Sequence, residues 1–170
     1  MFSRAGRAAI FDRKAFSEAF FDDDAAADAA IIVASVGLIT YLGWLTWIGR
    51  LDAVSVGGVL ESLIAGVISW LILAFATWFV ASRLFQGGGR PQTMMALQGL
   101  AALPLVLEVF GGLIAGAGLI WDLVLVVLAT REATDLDTRN AAVSVLIGFA
   151  VAAIFRALIG VPFAVFSAIF

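Results

Sequence analysis

Three stretches of this chain carry no charged residue for 17 to 21 positions, a fourth of 19 is interrupted by one acid, and a fifth runs for 15 before an arginine. A membrane-crossing helix needs about 20 mostly apolar residues at 1.5 Å rise each. Ala29 to Gly49 supplies 21 and closes on Tyr41, Trp44 and Trp47, aromatics suited to an interface. Ser62 to Ser82 supplies another 21. After the polar loop RLFQGGGRPQT, Pro91 to Leu107 gives 17, which predicts a short or bent third helix. Gly112 to Thr130 gives 19 around Asp122, and a fifth run opens at Ala141 and is expected to break near Arg156 and Pro162. The fold class is therefore all-α, a polytopic transmembrane helix bundle of five spans. It divides into an amphipathic N-terminal segment (1–28), the five-helix domain (29–161) and an apolar C-terminal tail (162–170).

One stretch permits a rival reading. Val106 to Leu128 is nearly all apolar, and as a single helix it would place Glu108 and Asp122 on nearly the same face, about 21 Å apart. Such a helix would have to absorb Gly111 and Gly112, a pair better suited to a tight reversal. Charge supports the reversal. With five spans, Arg4, Arg7, Arg13, Lys14, Arg83, Arg90, Arg131 and Arg139 fall on one side and only Arg50 and Arg156 on the other. Eight against two predicts a cytoplasmic N-terminus and an external C-terminus.

The first 28 residues have no uninterrupted hydrophobic core of the kind a signal peptide needs. On a helical wheel Phe2, Ala5, Ala9, Phe16 and Phe20 share one side, with Arg4, Arg7, Lys14 and Glu18 opposite and Phe11 as the exception. That pattern predicts an interfacial helix.

With 63% hydrophobic and 14% charged residues, the chain has too little polar surface for a soluble globule. It has no histidine and no cysteine, so Ser–His or Cys–His nucleophiles are excluded, and no metal or other cofactor is expected. A net charge of -3 does not suit nucleic acid.

The segment RLFQGGGRPQTMMALQGLAALPLVL resembles the bacterial branch of the Yip-domain (Ypt-interacting protein) family, where a glycine-containing loop leads into a helix with a glycine five residues before a proline, here Gly99 and Pro104. LIWDLVLVVLATREATDL and RNAAVSVLIGFAV are similar to the family's fourth helix, charged turn and closing helix. The likeness runs from about Ser62 to Val151. Leu100 stands where members commonly have tyrosine, and the Asp-Leu-Tyr-Gly-Pro motif of eukaryotic members is absent. The resemblance implies five spans and a cytoplasmic N-terminus. Eukaryotic members are adaptors that engage Rab-type GTPases, a role the missing motif does not carry over.

Three groups of residues stand out. Glu61, Glu108 and Arg156 are expected as an ion-pair cluster at the outer face, within reach of a snorkelling arginine. Asp122 falls near mid-membrane, where an acid costs about 2.5 to 3.5 kcal/mol even on lenient insertion scales. It must face protein or water, and it is expected to be neutral and hydrogen-bonded, with Ser69 or Trp70 as candidate partners. Gly112, Gly116 and Gly118 form a small-residue face expected to pack within the chain, or else on a partner. The Gly87–Gly89 run lacks P-loop spacing and is expected to be a flexible turn.

These readings favour a non-enzymatic adaptor, scaffold or accessory subunit in a bacterial inner membrane, in contact with lipids and with other membrane proteins or itself. The alternative is a small proton- or cation-coupled transporter using Asp122.

Overall fold

The computed structural model describes residues 2–22 and 24–169, without the side chains of Arg156 and of 159 onward. The expected role of Arg156 in an outer cluster, and the surroundings of the apolar tail, lie outside the described residues. Within them every regular element is a helix: α1 (Phe2–Ala9), α2 (Arg13–Phe20), α3 (Ala25–Trp47), a 3₁₀ turn (Leu51–Ala53), α4 (Val56–Leu84), α5 (Pro91–Ala101), a longer 3₁₀ segment (Leu103–Phe110), α6 (Gly112–Thr134) and α7 (Thr138–Ile169). Five of these units are long and apolar enough to cross a membrane, the third being α5 together with its 3₁₀ continuation, Pro91–Phe110.

The helix starts follow from local chemistry. Ser55 accepts a hydrogen bond from the Gly58 N–H at 3.0 Å and caps α4. The second helix therefore begins six residues before the expected Ser62 and takes in Glu61, which is solvent-exposed. Pro91 opens α5, where its missing N–H is harmless. Pro104 then ends the α-helical ladder, because its ring conflicts with the carbonyl four residues earlier. The chain continues as a 3₁₀ helix. At about 2.0 Å rise per residue that segment adds roughly 16 Å to the roughly 16 Å of α5, so a short apolar run still reaches across.

The reversal expected at the glycine pair is present. Gly111 and Gly112 both have positive φ (63° and 52°), and the Gly111 N–H bonds the Glu108 carbonyl at 3.0 Å. The single-helix reading of Val106 to Leu128 is thereby replaced by two antiparallel units. At the opposite end of the bundle the Gly87–Gly89 run is not a loose turn. The Gly88 N–H donates to the Thr134 carbonyl at 2.9 Å, and Trp78 Nε1 donates to the Gly89 carbonyl at 3.2 Å. The loop is a hydrogen-bonded seam between the ends of α4 and α6.

The N-terminal segment departs most from expectation. It is two helices packed on the flank of the bundle against α5, the 3₁₀ segment and α6. Its buried face is mostly alanine: Ala5, Ala8, Ala15 and Ala19, with Phe16. Phe2 and Phe20 point outward, 53% and 39% exposed. Alanine lets helix backbones approach closely, which the larger rings would prevent, and outward phenylalanines suit a lipid surround. Phe11, the exception on the wheel, stacks on Trp121 (centroids 6.3 Å apart), whose Nε1 donates to the Ala9 carbonyl at 2.9 Å.

The charges of α1 are balanced by acids on α2 and beside it. Arg4 pairs with Asp22 at 2.7 Å, and Arg7 pairs with Glu18 and, at 3.6 Å, with Asp12. The Arg7 hydrogen bond holds Glu18 below its ordinary range, and hydrogen bonds from Arg4 and the Asp24 N–H do the same for Asp22. Because both folded-state values are lowered, this contribution is complete above the unfolded carboxylate range and is lost as pH falls below about 4. Amide hydrogen exchange in residues 2–22, corrected for intrinsic rate, should accelerate below that pH while α6 keeps its protection. Equal protection in the segment down to about pH 3 would show that the pairs do not hold it.

Candidate intramembrane site

Asp122 projects from the middle of α6 and is buried, 5% exposed. It lines a cavity of about 400 Å³. Thr40 on α3, Ser69 and Trp70 on α4, Gln98 on α5 and Glu108 at the end of the third unit line the same space, with apolar wall from Val33, Val36, Leu105 and Val126. The two acids that the chain separates by fourteen positions thus face one hollow, and they lie within electrostatic reach of each other.

Each expected residue can now be placed. Glu108 does mark the reversal, and its side chain also lines the cavity. Ser69 and Trp70 border the cavity beside Asp122, but the Trp70 indole N–H donates to the Met95 carbonyl at 3.2 Å. That bond ties α4 to α5 and leaves the ring as wall. Gln98 was not anticipated. It is 2% exposed, its Nε2 donates to Thr130 Oγ1 at 3.3 Å and to Met94 Sδ at 3.4 Å, and its Oε1 has no hydrogen-bond partner among the described residues. Its signal in the sequence is an isolated amide in MMALQGLAAL, a segment otherwise apolar or small.

The glycines divide into two kinds. A Cβ on Gly99 would lie 2.5 Å from Ala29 Cβ, and one on Gly118 would lie 2.8 Å from the Pro104 carbonyl oxygen. These are the contacts of α5 with α3 and of α6 with the 3₁₀ segment. A Cβ on Gly112 or Gly116 would meet nothing within 4 Å among the described residues, so within these the pair does not make the internal packing expected of it.

The order of five crossing units, with a glycine loop before the third and a glycine–proline pair inside it, has a counterpart among known families. A family model described as the Yip1 domain matches residues 8–161, from α1 to the far part of α7. The chain belongs to the Yip1 domain family. The match starts well before the Ser62 to Val151 stretch that carries the visible motifs, so α2 falls within the Yip1 domain. No curated protein and no solved structure matches the chain.

Proposed function

We propose that this Yip1 domain protein is a non-enzymatic membrane adaptor or accessory subunit that works through helix–helix contacts with other integral membrane proteins or with a second copy of itself. The observation that carries this reading is the Gly112–Gly116 face, where close backbone approach is possible and none of the described residues makes it. In lipid, where burial of apolar surface gives no drive for association, small-residue faces are a main route to helix pairing. The eight-to-two distribution of basic residues favours a cytoplasmic N-terminus in a bacterial inner membrane.

Gly116→Leu tests the proposal. Because the space around Gly116 is open, the variant should fold with stability within about 0.5 kcal/mol of wild type. Partner proteins or self-association recovered in mild detergent should be lost. Association that survives the leucine unchanged would remove this face from the function.

A further inference from the structure

We propose that the turn between α1 and α2 holds the headgroup of an anionic phospholipid, drawn inward against Arg13 and Lys14. This goes beyond the adaptor reading and stands without it. The first ground is depth. Trp121, which stacks on Phe11 and donates to the Ala9 carbonyl, lies nine residues from the start of α6 and thirteen from its end. At 1.5 Å per residue these are about 14 Å and about 20 Å, close to the middle of a hydrocarbon core of about 30 Å. The other end of α2 is shallow. Ala19, Phe20 and Asp22 share a hollow with Arg90, Gln92 and Thr93 at the start of α5. The two helices therefore enter the bilayer from the face that carries the glycine loop and turn back near its middle without crossing.

The second ground is unpaired charge at that turn. Arg4 and Arg7 are paired with Asp22 and Glu18, whereas Arg13 and Lys14 are exposed and form no ion pair among the described residues. Glu18 is within electrostatic reach of Lys14 but is held by Arg7. Basic side chains at membrane depth are accommodated by snorkelling and by local thinning of the bilayer, which bring phosphates to them. Arginine and lysine both bind phosphate well. The surroundings select a lipid over free phosphate. Ile10 and Phe11, beside the basic pair, are 70% and 47% exposed. A free phosphate would have to leave water to reach this depth, while a lipid phosphate brings acyl chains that cover the two apolar residues. A zwitterionic headgroup would bring its own cation to the same place, so a net negative one is preferred.

The chain has no cysteine, so Ile10→Cys can carry a single thiol-reactive fluorophore at an exposed position. The full chain is reconstituted in phosphatidylcholine vesicles that contain a nitroxide quencher on the acyl chain of either phosphatidylglycerol or phosphatidylcholine. Nitroxides deep in the chain should quench more than those near the headgroup. Phosphatidylglycerol should quench at least about fivefold more per lipid than phosphatidylcholine, as two basic residues near a membrane surface imply. Arg13→Gln with Lys14→Gln should abolish that preference without changing the depth, and should fold, since both side chains are exposed. Arg83→Gln with Arg90→Gln, in the glycine loop, should leave the preference in place. The proposal is overturned if shallow nitroxides quench best, if the two lipids quench equally, if the preference survives loss of Arg13 and Lys14, if the loop variant lowers it as much, or if inorganic phosphate abolishes it.

Discussion

Gly99→Leu should prevent the bundle from assembling, or lower its stability by about 3 kcal/mol, the upper end of ordinary overpacking costs. The reason is distance. Even a methyl group at this position would sit 2.5 Å from Ala29 Cβ, with Ala29 Cα at 3.2 Å and Trp70 Nε1 also at 3.2 Å. The obstruction is a helix backbone with a short rigid side chain, so no rotamer change relieves it. The neighbouring Trp70–Met95 bond ties the same region of α4 and α5 together, so a forced separation would extend beyond one contact. Thermal unfolding and gel filtration of the purified variant would read the effect. Gly99→Ala should show a smaller loss that a second change, Ala29→Gly, restores in part, a coupling expected only for residues in direct contact. A Gly99→Leu protein that melts as wild type does would mean that α3 and α5 do not cross there.

The second large effect is expected at the end of the glycine loop. Gly89 has φ +86°, a conformation that L side chains rarely adopt, and a Cβ there would collide with the Ala133 carbonyl oxygen. Gly89→Ala combines backbone strain with that collision and should cost about 3 kcal/mol. Gly88→Ala, one residue away, should cost little, since its Cβ would meet only the Thr134 carbonyl oxygen at 3.9 Å. Comparable melting temperatures for the two variants would show that the seam between α4 and α6 does not form as described. The pair separates glycine used for flexibility from glycine used for fit.

Much of the fold was legible in the sequence, because a membrane span is defined by length and by absence of charge. Both can be counted. The reversal at Gly111–Gly112 was legible for a similar reason, since a helix of that length had to explain two adjacent glycines. The third span was harder. Its 17 apolar residues count as short only if every residue rises 1.5 Å, and composition does not reveal where Pro104 turns the chain into a longer 3₁₀ path. The alanine face of α1 and α2 was hidden by the usual assumption that the larger apolar side chain is the buried one. Among apolar spans the assumption fails, because lipid accommodates phenylalanine and helix crossings select for small residues. The candidate site was legible in Asp122 and in Ser69 and Trp70, which border the same cavity. That Glu108 shares its cavity depends on the end of one unit folding back beside the middle of the next. That Gln98 presents an unpaired oxygen depends on which of its two amide ends finds partners.

The tight reversal at Gly111 has a consequence for biogenesis. The third unit has the lowest mean hydropathy of the five, and one residue separates it from the fourth, which is among the most apolar. No loop lies between them that could wait in water while the third unit partitions into lipid alone. The pair must therefore leave the insertion machinery as a single helical hairpin, with the weaker segment carried into the bilayer by the stronger.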